Sequence, residues 1–190
     1  MNVVVVKVSM FDFHKKDYLK LDYFALFELS PCFNLNISQL NQAYRQLQAE
    51  YHPDRFTHLS DQEQRLAVQL ATHINHAYQT LKHPLSRARY LLSLHQIDTE
   101  EESNTAMPFA FLEQQLEWRE ALSLVKQDRN LPQLEALLER AQVEIVHYIQ
   151  HLVYCLDQQK FYSEAAETVR KLRFIYKLEE EIEQSLSELE

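Results

Sequence analysis

The chain has 190 residues, 46% of them hydrophobic and 25% charged, and its 19 basic and 28 acidic side chains leave a net charge of −9. It contains no glycine, where ordinary usage would give about 13 at this length. That absence excludes phosphate-cradling loops, dinucleotide-binding turns and nucleophile elbows, which need glycine where backbone approaches a ligand or takes positive φ. The acid excess argues against nucleic acid as a partner, because phosphate contacts supply most non-specific affinity.

Residues 1–21 hold a short run, Val3–Val6, then Lys7 and several polar residues. They lack the charged start and small-residue cleavage site of a signal peptide, and they read as an extension ahead of the fold, open to disorder. No apolar run approaches the ~18 residues of a membrane span. Cys32 and Cys155 share no CxxC spacing, so they read as two reduced, buried thiols in a cytoplasmic protein.

Asp22 to Leu29 predicts a short helix stopped by Ser30-Pro31. Asn36 with Gln39 resembles a capping box. Ile37, Leu40, Tyr44, Leu47 and Tyr51 then step by three and four along one helical face. That helix must end at His52, because Pro53 disfavours α geometry before it. A polar loop, Asp54 to Leu59, leads to a second capping box at Ser60 and Glu63 and a second stripe, Leu66, Leu70, Ile74, Ala77 and Leu81. Two such helices joined by a short loop predict an antiparallel hairpin. Pro84 suits the first turn of a further helix carrying Leu85, Ala88, Leu91 and Leu92.

The acidic, polar stretch Asp98–Pro108 breaks the periodicity and marks a boundary. Three long helical patterns follow, at about Phe109–Gln127, Leu131–Leu156 and Phe161–Leu189, separated by short polar turns. Short turns force antiparallel neighbours, so this half predicts a three-helix bundle. The expected architecture is all-α: an extension over 1–21, a helical-hairpin domain over 22–95, a linker over 96–107 and the bundle over 108–190.

The sharpest local signal is Tyr51-His52-Pro53-Asp54-Arg55-Phe56. It sits at the tip of the predicted hairpin, where proline fixes a turn and an imidazole and a carboxylate project from an exposed end. Spacing alone leaves two readings open: a recognition turn, or a proline-terminated helix whose Asp54 caps the loop. Nothing in the sequence has the spacing of a Ser/His/Asp or Cys/His catalytic set. His73/His76 and His147/His151 have helical-face spacing, yet no Glu or Cys joins them at known spacing, so no metal site is expected.

Helical angles single out a second surface. At about 100° per residue, Phe111, Trp118, Leu122 and Val125 share a face and point into the bundle. Phe109, Leu112 and Leu116 fall on another flank beside Arg119 and Glu120. On the last helix Leu172 lies in the core stripe, so Phe174 is expected to point about 200° away from it, among Arg170, Lys171 and Leu178. Apolar residues off the stripe and rimmed by charge suit an interaction surface; packing of the bundle on the other half, or a wider core, would account for them as well.

The helix–HPD–helix arrangement resembles a J-domain, the module with which co-chaperones stimulate the ATPase of DnaK-class chaperones. The segments DYFALFEL, YHPDRF, INHAYQTLKHPLSRARYLLSLH and AAETVRKLRFIYKLEE look like the HscB-type J-proteins of bacterial iron–sulfur cluster assembly, from about Asp22 to the C-terminus. The resemblance implies a cytoplasmic co-chaperone that is not an enzyme, holds no cofactor or metal, and binds neither nucleic acid nor membrane. It implies that His52, Pro53 and Asp54, with Arg45, Tyr51 and Arg55, engage an HscA-type chaperone. It further implies that Leu112, Leu116, Glu117, Arg119, Glu120 and Phe174 hold the iron–sulfur scaffold protein as client. The basic face usual before the HPD turn is sparse here: Arg45 stands nearly alone and Glu50 opposes it.

Overall fold

Asp22 opens the first helix, α1 (Tyr23–Leu26), by accepting hydrogen bonds from the Phe24 and Ala25 N–H groups at 2.9 and 2.9 Å. The computed structural model describes residues 18–99 and 108–189. The expected extension as far as residue 17, and the expected linker from residue 100 to 107, lie outside them. Helix α1 is shorter than the predicted 22–29 because Glu28 takes a left-handed φ of 57°. Helix α2 (Ile37–Tyr51) starts where the Asn36 carboxamide accepts from the Ser38 and Gln39 N–H groups. Pro53–Phe56 form one 3₁₀ turn, and α3 (Asp61–Lys82) begins at a reciprocal Ser60–Glu63 capping box. The hydrogen bond from Ser60 holds the Glu63 carboxyl below its ordinary range.

The packing separates two units: one built from α1, α2 and α3, the other from Cys32–Asn34 and all residues from Pro84 onward. In the first, Phe24, Leu40, Phe56, Leu70, Ile74, Ala77 and Leu81 are buried. Polar contacts then fix the register of α2 on α3. Tyr44 stacks on Tyr78 with ring centroids 3.9 Å apart and donates to Asn75 Oδ1 at 2.9 Å, while Tyr78 donates to Asn41 Oδ1 at 2.9 Å. Tyr18, expected to belong to the extension ahead of the fold, stands in this fold with its ring 5.3 Å from that of Tyr51.

The second unit contains α4 (Pro84–Leu94), α5 (Phe109–Gln127), α6 (Leu131–Val153), a π-helical turn at Tyr154–Gln159 and α7 (Tyr162–Leu189). Helix α7 packs along α6 and also meets α4 and α5. The sequence reading assigns Pro84–Leu92 to the N-terminal half; in the structure α4 lies on α7, burying Ala88, Leu91 and Leu92. With neighbours on three sides, α7 buries far more than one stripe: Ala165, Ala166, Val169, Leu172, Ile175, Leu178 and Ile182 are all inside. Leu178 therefore belongs to the core and not to the flank assigned to it. Arg87 of α4 is buried beneath the Phe33 ring, its guanidinium carbon 5.1 Å from the centroid, and burial pulls its pKa down. The Asp157 carboxylate accepts from the Phe33 and Asn34 N–H groups at 2.7 and 2.8 Å, holding that short segment in place.

Lack of glycine does not free the chain of left-handed residues. Glu28, Gln96, Arg129 and Lys160 all have φ between 50° and 61°. Each follows a helix or turn, at the position where glycine usually ends one, and a side chain there costs about 1 kcal/mol or somewhat more.

Candidate functional site

The HPD turn forms where α2 must stop. His52 takes φ −64° and ψ 130°, the extended geometry that a following proline imposes. Its Nδ1 accepts from the Asp54 N–H at 3.3 Å and lies 3.6 Å from the Asp54 carboxylate. A neutral imidazole that accepts through Nδ1 carries its proton on Nε2, so the ring offers a donor to whatever approaches. Both side chains are open to solvent, at 52% for His52 and 87% for Asp54. Pro53 is half-buried between them.

Buried residues hold this exposed pair from beneath. Phe56 is inside, and the Gln64 amide donates to the Thr57 and Leu59 carbonyls at 3.2 and 2.9 Å, tying the loop to α3. Arg55 Nη1 donates to the Ala49 carbonyl in the last turn of α2, where a cation also suits the helix dipole. Arg45 is exposed on α2. Tyr51 differs from the expectation that it joins the contact surface. It is 4% exposed, and its phenol is pushed well above its ordinary range by burial first, then by Tyr18 and Glu50. It supports the turn from inside. Sequence reasoning missed Tyr18 and Gln64 because both act across non-local contacts that periodicity does not encode.

On α5, Leu112 and Leu116 stand one turn apart and are 46% and 58% exposed. Phe109, Glu117, Arg119 and Glu120 are exposed around them, while Phe111, Trp118 and Leu122 are buried as expected. Phe174 does not simply face outward. It is half-buried, its ring meeting Phe111 edge to face with centroids 5.8 Å apart, and Lys171 Nζ lies 5.9 Å from the same Phe111 ring. Phe174 is thus brought to α5, beside the residue that precedes Leu112. The histidine pair of α3 is structural: the Tyr23 ring packs edge-on against His73 and His76, and its hydroxyl lies 2.9 Å from His76 Nδ1.

Comparison with known proteins divides the chain later than the packing does, after most of α4 and not before it. The DnaJ domain profile matches residues 22–90, and the profile described as the HSCB C-terminal oligomerisation domain matches residues 107–183. The co-chaperone protein HscB homolog of Ralstonia nicotianae is 45% identical over 168 residues, covering 88% of this chain and 96% of its own. The chain belongs to the HscB co-chaperone family. Solved HscB structures agree with its fold. HscB of Vibrio cholerae superposes with a TM-score of 0.79 at 38% identity, over 90% of this chain and all (100%) of that one. Human HscB gives 0.81 at 29% identity, over 87% and 82%. As an HscB-type protein the chain is a J-domain co-chaperone, and its HPD tripeptide lies within the matched DnaJ segment. Among its described residues no helix is long and apolar enough to cross a membrane.

Proposed function

We propose that this co-chaperone binds an HscA-type chaperone of the DnaK class through the HPD turn and stimulates its ATPase. His52 and Asp54 make the contact, Pro53 fixes its shape, and Arg45 and Arg55 add charge at its edge. In the second unit, Leu112, Leu116, Glu117, Arg119 and Glu120, with Phe174 at the margin, hold the iron–sulfur scaffold protein. Delivery of that client to the chaperone supports cluster transfer in the cytoplasm, with no bond made or broken by the co-chaperone itself. The observation that carries the reading is the solvent-open HPD turn at the tip of a hairpin that matches the DnaJ domain.

Such a protein works by differential binding. To promote hydrolysis, the HPD turn must favour the hydrolysis-competent state of the chaperone over its alternative. With little basic surface on α2, steering by charge is weak and the specificity rests on the turn. The test is steady-state ATP hydrolysis by a purified HscA-type chaperone with this protein, with and without scaffold. Stimulation by the protein alone, raised further by scaffold, is expected. A flat rate refutes the chaperone assignment. Stimulation without scaffold capture in a pull-down refutes the client.

A further inference from the structure

The turn between α6 and α7 gathers three metal-binding side chains of different chemistry. His151 lies in the last turn of α6, Cys155 one turn later in the π-helical segment, and Glu164 in the first turn of α7. His151 Nε2 is 3.1 Å from Glu164 Oε1 and 3.5 Å from Cys155 Sγ, and all three donor atoms lie within 4.8 Å of one another. Cys155 is buried, while the side chains of His151 and Glu164 are 35% and 49% exposed. An ion can therefore enter from solvent between the two polar groups and settle on the thiol beneath.

Two of the three separations come close to the edges of a small tetrahedral cation's shell. With bonds of about 2.3 Å to sulfur, 2.0–2.1 Å to nitrogen and 2.0–2.2 Å to oxygen, a tetrahedral zinc sets sulfur and nitrogen about 3.5 Å apart and nitrogen and oxygen about 3.4 Å apart. The observed 3.5 and 3.1 Å come close to both, and the third pair, Cys155 Sγ and the Glu164 carboxylate, lies within 4.8 Å, against about 3.6 Å in such a shell. A histidine–carboxylate hydrogen bond accounts for the 3.1 Å contact, but it does not call for a thiol beside the same nitrogen. The backbone builds the convergence. Lys160 turns the chain at φ 61°, and the Phe161 N–H donates to the Cys155 carbonyl at 2.9 Å, which folds the start of α7 back over Cys155. π-helical turns of this kind recur at functional sites.

We propose that His151, Cys155 and Glu164 bind one divalent transition-metal ion of the zinc class, with a fourth position left to water. The mixed sulfur, nitrogen and oxygen set selects such an ion over magnesium or calcium, which take oxygen ligands. Binding displaces the Cys155 thiol proton to solvent, and the cation offsets the thiolate and the Glu164 carboxylate together. Sequence reasoning dismissed this histidine because it weighed His147 as its partner; the usable spacing was His151 to Cys155, with Glu164 supplied by the fold.

The test uses the full chain stripped with a chelator and titrated with cobalt(II), then zinc. Saturation at one cobalt per chain is expected, with a thiolate-to-cobalt charge-transfer band and the strong visible absorption of tetrahedral cobalt, both lost when zinc displaces it. The band should survive Cys32→Ala and vanish in Cys155→Ala. Glu164→Gln, a change at an exposed position, should weaken cobalt binding at least tenfold while leaving the metal-free melting temperature nearly unchanged. Zinc should raise the melting temperature of the unaltered protein. The proposal fails if one equivalent of cobalt gives no charge-transfer band, if the band persists in Cys155→Ala, or if Glu164→Gln binds cobalt as tightly as the parent. The Glu164 arm keeps the test decisive even where loss of the buried thiol impairs folding.

Discussion

Replacing Leu112 and Leu116 together by alanine should uncouple client binding from stability. The two side chains are 46% and 58% exposed, so about half of each remains to be covered by a partner. Full burial of a leucine contributes about 1.5–3 kcal/mol, so half of each gives roughly 1 kcal/mol per residue and about 2 kcal/mol for the pair. At 1.4 kcal/mol per tenfold, the scaffold Kd should rise roughly thirtyfold. Folding should scarcely notice: alanine is the strongest helix former, and surface changes stay within about 0.5 kcal/mol. Phe174→Ala should behave differently, because it removes the edge-to-face contact with Phe111; a loss of about 1 kcal/mol of stability is expected beside any loss of binding. Titration calorimetry with purified scaffold, paired with melting curves, separates these outcomes. An unchanged Kd in the double variant removes the client face from α5. A large fall in its melting temperature would show that these leucines are core and that the exposure argument is mistaken.

Further outcomes can be checked with the same materials. His52→Gln should abolish chaperone ATPase stimulation with an unaltered melting curve, since the ring is open to solvent and, among the described residues, bonds within its own turn; loss of fold would contradict this. Tyr18→Ala should lower stability by about 1 kcal/mol through its lost packing on Tyr51, measured by urea denaturation. Arg129→Gly should stabilise the second unit by up to about 1 kcal/mol, because it relieves a left-handed φ of 50° at an exposed site. Glu179 has its pKa raised above 4.5, chiefly by burial. Its ionised form therefore opposes folding, and stability is lost as pH rises through the folded pKa. Glu179→Gln should raise the melting temperature at pH 7, with the gain shrinking once both proteins are studied below pH 4.5.

Helix identities and most boundaries were legible because local chemistry sets them. Asn36 and Ser60 cap α2 and α3 as their spacing predicts, Pro53 ends α2 at Tyr51, and α5 runs over the expected Phe109–Gln127. The HPD turn was legible for the same reason, being continuous in sequence. What was not legible depends on which helix lies next to which. Pro84 announces a helix but not its partner, so the attachment of α4 to α7 could not be read. Nor could the broad buried face of α7, and that is why Leu178 and Phe174 were placed on the outside. A wheel drawn from Leu172 assumes one neighbour; α7 has three. Tyr51 was placed on the contact surface by the family resemblance, although it closes the core stripe that the periodicity had already drawn and is buried.

The chain has a single tryptophan, and its position has a practical consequence. Trp118 is 1% exposed on α5, with the Arg140 guanidinium carbon 4.2 Å from its ring centroid. Its emission therefore reports the second unit alone, while the first unit carries tyrosine and phenylalanine but no tryptophan. A denaturation followed at once by indole fluorescence and by far-ultraviolet dichroism will split into two transitions wherever the units melt separately. Trp118 lies about 200° round the helix from Leu116, so a partner touching the two leucines alone does not reach the indole. The native fluorophore is thus a gauge of folding of the second unit, and an external dye on the α5 flank is the direct reporter for the proposed binding there.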